Sequence, residues 1–512
     1  MNKEELLDII IQSQDNYLLS KTKEYLKNNS QFFTPVDTIH KMLRTINFDE
    51  FRNKNSISVL EPAAGCGIMV VTTVLHIIDN FPYIINIHFD IYEKDKNLFY
   101  IVQENMKILM DYCKNKINFT YSLINDNFII YNKNAWKEDD IKQYYSIILS
   151  NPPFLKLNKD SEEAIIMGNI LNGQPNIYAL FMCMCAKLLS PNGYYVLISP
   201  RNYLSGQYSK NVRRYLFDRL SLVHIHSFDK RNLFNLVNQE VIISTFKNQR
   251  NLHNVHISHN GKYSFDLDFS KLVFDVANLS IIIPRKESDI KLFEQFSTFE
   301  NSLSDLGYKV SVGPVVQFRN TDFIKKDIYC DNYAPLLIAK DIQANSVINY
   351  FGRENTRNTH NKSISYNSKQ LIRNSNYLLV RKIAAKDDAE LIVATVLNKN
   401  YFNTEFLGLD NNLIYFHKVN TEQELTLIEC YGLYCFINSN DFSEYYSLIN
   451  GTHTINISDF NEIKFPDYET ILKLGEKLIK SNDFSKLNCS KILSIFTFEN
   501  LQYEEVICIE EN

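Results

Sequence analysis

At 512 residues the chain is longer than one hydrophobic core usually organises, so two domains with a short appendage are expected. Hydrophobic residues make up 45% and charged residues 22%, which excludes a largely disordered chain. The formal charge of -5 excludes a uniformly basic surface, so a nucleic-acid partner would need a local basic cleft.

In chain order, residues 1–29 read as an N-terminal helical segment. Their acidic start, Met1 to Glu5, lacks the basic region and small-residue cleavage site of a signal peptide. The most apolar run, Ile68 to Ile78, is about half a membrane span and contains Thr72, Thr73 and His76. The expectation is a soluble, cytoplasmic protein without membrane contact. Nine cysteines lack the paired spacing of a metal site, so no metal is expected and they read as reduced core residues.

From Ser56 to Phe246 short apolar runs alternate with helix-period stretches, the pattern of a doubly wound α/β sheet. Expected strands are Ile57–Leu60, Ile87–Tyr92, Phe119–Leu123, Ser146–Leu149, Tyr194–Ile198, Val223–Ser227 and Val241–Phe246, a seven-stranded Rossmann-like domain. Helices are expected over Ile68–Asp79, Lys96–Cys113, Asn176–Leu189 and Ser209–Leu220, with Ser190-Pro191-Asn192-Gly193 stopping the third before the next strand. After about Gln249 the pattern changes to short β-like pieces, among them Val312–Arg319, Tyr377–Ile383, Leu391–Leu397 and Leu413–His417, then helical residues Ile471–Lys480. The division is placed between a domain over 30–270 and a mixed α+β domain over 271–512.

The segment Glu61-Pro62-Ala63-Ala64-Gly65-Cys66-Gly67 follows the first strand, where open α/β sheets bind ligands beyond their strand ends. Ala63 and Gly65 let backbone approach the ligand. The segment has neither G-x-G-x-x-G nor a Walker lysine, so phosphate is a poor fit, whereas Glu61 suits an ammonium group. Glu93, at the end of the second strand, can accept both hydroxyls of a ribose. Asp126, after the third, can accept from an adenine amino group while Phe128 packs on the ring. Each acid alone could be a helix cap. Together they describe an adenosine with a zwitterionic tail, S-adenosylmethionine.

The fourth strand ends in Ser150-Asn151-Pro152-Pro153-Phe154. An exocyclic amine attacks poorly because its lone pair is delocalised into the ring. The Asn151 side-chain oxygen and the Pro152 carbonyl can each accept one amino hydrogen, favouring the charge that develops on nitrogen. Pro152 and Pro153 hold the backbone rigid, and Phe154 offers a face for stacking a base. The plain structural alternative is a Pro-Pro turn after a buried strand.

Gln31-Phe32-Phe33-Thr34-Pro35, Glu61 to Gly67, Glu93 and Asn151 to Phe154, in this order, resemble the gamma-class adenine-N6 DNA methyltransferases of type II restriction-modification systems. The resemblance implies that Thr34 and Pro35 close over the methionine end of the cofactor, and that a target-recognition domain follows the catalytic one. It implies that Phe234, within Arg231-Asn232-Leu233-Phe234 and ahead of Val237, Gln239 and Glu240, stacks on a flipped adenine. More loosely, Pro335–Ile342 and Asn456–Phe460 resemble segments of the recognition domain. Cys66 departs from the family's usual small residue, with no consequence expected.

Double-stranded DNA is then the partner, with a cognate restriction endonuclease encoded nearby and a monomeric enzyme. Candidate phosphate contacts are Lys230, Arg231, Arg319, Arg353, Arg357, Arg373, Arg381 and Lys382, each also readable as a solvated surface charge. Three rival readings remain: an RNA or protein-glutamine methyltransferase, a modification subunit needing a separate specificity subunit, and a degenerate DNA-binding module. No nuclease motif is evident.

Overall fold

The structure, a computed structural model, describes residues 1–54, 56–141, 144–171, 173, 176–228, 240–353, 361–383, 392–450 and 454–496. The chain divides into two compact units, Met1–Lys286 and Glu287–Asn512. The first unit takes in the N-terminal segment and runs past residue 270, where the division was expected.

The first unit opens with α1 (Lys3–Leu19), α2 (Lys23–Asn28) and α3 (Val36–Arg44). Asn2 starts α1 with a reciprocal cap: its side chain accepts from the Glu5 N–H, and the Glu5 carboxylate accepts from the Asn2 N–H. Leu6 and Ile10 on α1 are buried in the main core with Val70, Val71 and Val74.

The sheet is built from β1 (Ser56–Glu61), β2 (Asn86–Tyr92), β3 (Asn118–Ile124), β4 (Tyr145–Ser150), β5 (Leu189–Pro200), β6 (Ser221–Ser227), β7 (Val241–Lys247), β8 (Asn254–His259) and β9 (Tyr263–Asp268). Its order is β3-β2-β1-β4-β5-β7-β6-β8-β9. Strands β1 to β5 run parallel, and β7 lies antiparallel between β5 and β6. Every expected strand lies in this sheet, but it has nine strands, not seven. The extra hairpin alternates exposed or half-buried residues with buried ones along Asn254–His259. Its polar Asn, His and Ser side chains hide it from a search for apolar runs.

The helices of this unit continue as α4 (Ile68–Asn80), α5 (Lys96–Cys113), α6 (Phe128–Tyr131), α7 (Lys133–Glu138), α8 (Glu162–Ile166), α9 (Ile177–Leu188) and α10 (Lys210–Phe217). Ser190-Pro191-Asn192-Gly193 is not a linker after α9; it belongs to β5. The register jumps from Tyr145↔Leu189 to Ile147↔Tyr194, so these residues form a bulge. Asn192 sits at φ +61, and its N–H donates to the Asn248 carbonyl while the Asn248 N–H donates to the Gly193 carbonyl. Bonds to Asn248, just after β7, satisfy groups that a free loop would leave to water.

Beyond β9 the chain forms the hairpin β10 (Val273–Asp275) and β11 (Ser280–Ile281). Arg213 of α10 ties it in. Its fully buried guanidinium donates to the carbonyls of Tyr203, Gly206 and Asn278 and to Ser280 Oγ.

The second unit holds a four-stranded antiparallel sheet of Tyr308–Val312, Leu413–Lys418, Tyr377–Arg381 and Ala394–Leu397. A mixed sheet joins Ile324–Lys325, Ser363–Ser365, Tyr333–Leu337, Phe406–Leu409 and Ile372–Arg373. The strand expected over Val312–Arg319 ends at Val312 instead. Gly313 follows, pressed so closely on the Asp410 carbonyl that a Cβ there would lie 2.2 Å from its oxygen, and Gln317–Arg319 is a 3-10 turn. Pro335–Ile342 spans the end of one strand, a 3-10 turn and the start of another. Asn456 precedes the short helix Ile457–Glu462, and Tyr468–Ser481 is a long helix as expected.

Arg353 cannot serve as a phosphate contact. Its side chain is 3% exposed and donates to Asp341 Oδ2 at 2.8 Å and to the Leu336 and Asn361 carbonyls. Arg319 and Arg373 are exposed, Arg381 and Lys382 half-buried, and Lys230, Arg231 and Arg357 lie outside the described residues. Cys330 is exposed, whereas the other described cysteines are buried. Among the described residues no helix is long and apolar enough to cross a membrane, and no cluster of His, Cys, Asp and Glu could hold a metal ion.

Candidate active site

Glu61 ends β1, and the turn after it is fixed by two backbone bonds: the Ala64 N–H donates to the Tyr92 carbonyl and the Gly67 N–H to the Ala64 carbonyl, each at 2.9 Å. Gly65 adopts φ +60, and a Cβ there would fall 2.7 Å from the Phe33 ring. Only glycine meets both conditions without strain.

Glu93 follows β2 and is nearly buried. Its Oε2 accepts the Gly65 N–H at 2.9 Å and its Oε1 the Asp95 N–H at 2.8 Å. Burial pushes its carboxyl up to about 7, and the two backbone donors hold it from going higher. Glu61 is 1% exposed, and its Oε2 has no hydrogen-bond partner. Burial drives its carboxyl well above the usual range, with the Glu93 charge adding to the effect.

Asp126 is exposed after β3 and accepts the Asn127 N–H at 2.6 Å. Phe128 opens α6 and is buried, packing on Tyr92 and Phe181 with ring centroids 5.1 Å from each. Asn151 follows β4. Its amide nitrogen is tied to one segment: Nδ2 donates to the Phe32 carbonyl at 2.9 Å and to Thr34 Oγ1 at 3.0 Å. The Phe154 N–H donates to Ser30 Oγ at 2.7 Å, and its ring meets Tyr178 edge-on.

One cavity of about 300 Å³ gathers these groups. Thr34, Glu61, Ala63, Gly65, Glu93, Asp126, Phe128, Asn151 and Pro153 line it. Pro35, Pro152 and Phe154 do not. Pro35 instead is the N-cap residue of α3, and Pro152 is buried. Phe234 lies outside the described residues. Sequence reasoning assigned no individual role to Ser30, Gln31, Asp95 or Tyr178; the first three line the cavity, and Tyr178 meets the Phe154 ring. Asp95 could have been noticed, since its side chain caps α5 two residues after Glu93.

A family model described as Eco57I restriction-modification methylase matches residues 75–234. Over 502 residues the chain is 25% identical to the type II methyltransferase M.PstI of Providencia stuartii, covering 95% of this chain and 96% of that one. It is 26% identical over 477 residues to the type II methyltransferase M.BsuBI of Bacillus subtilis, covering 89% and 92%. The chain is a relative of the restriction-modification methyltransferases. Among solved structures, the cryo-EM structure of a DrdV–DNA complex covers 94% of this chain and 60% of that chain at 11% identity, with a TM-score of 0.53, a likeness of fold. The matched family segment includes Glu93, Asp126 and Asn151 to Phe154, while Thr34 and Glu61 precede it.

The elevated Glu93 carboxyl predicts a proton-linked ligand. A cation in the cavity favours the ionised form, so binding should release protons and weaken as pH falls below about 7. Folding shows the opposite sign: with a folded-state value above the ordinary 4.5, Glu93 adds stability at low pH that is lost as pH rises through about 7. Calorimetry of S-adenosylmethionine binding near pH 6.5, in buffers of different ionisation enthalpy, should show this release. It should vanish in Glu93→Gln; a release that persists there would assign the proton to another group.

Proposed function

We propose that the chain is a site-specific DNA adenine-N6 methyltransferase that uses S-adenosylmethionine, the modification enzyme of a restriction-modification system. The observation that carries this reading is the Asn151 carboxamide: its nitrogen is taken up by Phe32 and Thr34, leaving its oxygen as the acceptor beside the cavity. The order β3-β2-β1-β4-β5-β7-β6 within the larger sheet supports a Rossmann-like catalytic domain.

The residues fit the cofactor. The unpartnered, buried Glu61 Oε2 is costly unless a cation faces it, which an ammonium group would supply. Glu93, with both oxygens fixed by backbone donors, retains lone pairs for the ribose hydroxyls. Asp126 and Phe128 serve the adenine end. S-adenosylmethionine supplies a methyl group on a sulfonium centre.

Asn151 and the Pro152 carbonyl accept the two hydrogens of the target amine, localising its lone pair for attack. When bound, the cofactor would give that methyl group to the amine nitrogen and leave as a thioether, and the amine's surplus proton would pass to water. Phe154 and Phe234 stack on the extruded base and offset part of the unstacking cost. The second unit serves as the target-recognition domain for double-stranded DNA. A monomer suffices for this chemistry, and the cognate endonuclease is a separate protein.

The deciding experiment incubates the purified chain with labelled S-adenosylmethionine and DNA, RNA or protein in parallel, then digests each and identifies the labelled group. N6-methyladenine within one DNA sequence is expected. Label confined to RNA or to protein would overturn the proposal.

A further inference from the structure

We infer that Ser30 and Thr34 are positioning residues that hold the two ends of the Asn151–Phe154 tetrad in its reactive geometry, a role that rests on the reading of Asn151 above. Three residues of the segment Ser30 to Thr34 bond to the tetrad, at both its ends. At one end Ser30 Oγ accepts the Phe154 N–H, and at the other the Phe32 carbonyl and Thr34 Oγ1 accept from Asn151 Nδ2. Ser30 and Thr34 are both buried.

A carboxamide has nearly the same shape with oxygen and nitrogen exchanged, so only its partners decide which atom faces the cavity. The Phe32 carbonyl can only accept. Turning Asn151 over would set two oxygens against each other there. The Phe32 carbonyl therefore sets the orientation that leaves Oδ1 for the substrate amine, and Thr34 Oγ1, accepting a second bond from the same nitrogen, holds the amide in place there. Ser30 holds a left-handed backbone at φ +51, uncommon for a residue with a side chain, and the bond from Phe154 is what that conformation makes available.

The segment is itself anchored to the opposite wall of the cavity. Gln31 Nε2 donates to Asp95 Oδ2 at 2.9 Å, and Gln31 Oε1 accepts from the Tyr17 hydroxyl at 2.9 Å. The Asp95 N–H is one of the two donors on Glu93. A continuous chain of hydrogen bonds and covalent links thus runs from the ribose carboxylate, through Asp95 and Gln31, to the acceptor that meets the target base.

The test uses the full chain with Thr34→Val, Thr34→Ser and Ser30→Ala, and a duplex carrying the sequence found methylated in the labelling assay. Thr34→Val should lower kcat at saturating S-adenosylmethionine by about 10-fold, the value of one hydrogen bond, a larger loss than any change in the Kd for the cofactor, while the KM for the duplex stays within about threefold. Thr34→Ser, which keeps the hydroxyl, should restore most of kcat, and Ser30→Ala should behave as Thr34→Val does. An unchanged kcat in Thr34→Val overturns the inference, as does a loss matched by an equal loss of cofactor affinity, which would make Thr34 a cofactor contact. The contact is also read without activity. Thr34→Val should lower the melting temperature of the wild type but not of Asn151→Ala, and equal losses in both would refute it. If the wild type methylates no DNA, the enzymatic reading fails, whereas this melting comparison still decides the contact.

Discussion

Asn151→Ala is expected to lower the rate of methyl transfer by about 100-fold or more, the usual cost of removing one preorganised acceptor from the reacting group. The side chain lines the cavity, but its nitrogen is already committed to Phe32 and Thr34. The change therefore removes the oxygen proposed to meet the substrate amine and leaves Glu61 and Glu93 unaltered. Single-turnover transfer from labelled S-adenosylmethionine measures the rate, and calorimetry measures cofactor affinity, which should change far less. Near-normal turnover would remove the tetrad from catalysis. A loss of affinity as large as the loss of rate would make Asn151 a cofactor ligand.

Gly475→Ala should strongly destabilise the second unit. The helices Leu427–Ile437 and Tyr468–Ser481 cross at Gly432 and Gly475. A Cβ on Gly475 would lie 2.1 Å from the Ile428 carbonyl oxygen, and one on Gly432 would lie 2.0 Å from that of Ile471. Neither obstacle is a side chain that can turn aside; each is helix backbone. The helices would have to separate, which exposes Leu433, Leu474 and Leu478, all buried at present. Overpacking of this kind typically costs about 1–3 kcal/mol, and a backbone obstacle places the expected value at or above the top of that range. In an ordinary solvent-exposed helix the same substitution would stabilise by about 1 kcal/mol, so the sign alone is informative. Denaturant unfolding followed by circular dichroism gives the answer, and a stabilised variant would mean the crossing is looser than the structure shows.

The cavity was legible in the sequence because its chemistry sits at strand ends. Glu61, Glu93, Asp126 and Asn151 each follow an apolar run, and an α/β sheet brings such positions to one edge whatever the separation along the chain. What stayed hidden depends on partners far apart in sequence. Ser30 and Thr34 reach residues more than a hundred positions away, and Tyr178 meets Phe154 only because α9 packs beside the tetrad. Arg353 reads as a surface cation until Asp341 is seen to face it in the interior. Ser190 to Gly193 carry every mark of a helix stop, and α9 does end at Leu188, yet the bonds with Asn248 draw them into β5. Turn residues signal that the chain changes direction. They do not reveal whether a neighbouring strand accepts the detour.

Arg213 bears on how a shortened protein should be cut. Two of its acceptors, the Asn278 carbonyl and Ser280 Oγ, lie beyond residue 270, although the charge itself sits in α10. A fragment ending at 270 would take these two acceptors from a fully buried guanidinium, a larger penalty than the loss of a few surface residues. A free-standing catalytic piece therefore has to extend to Lys286, and failure of a shorter one to express would say nothing about whether the two halves of the chain can act apart.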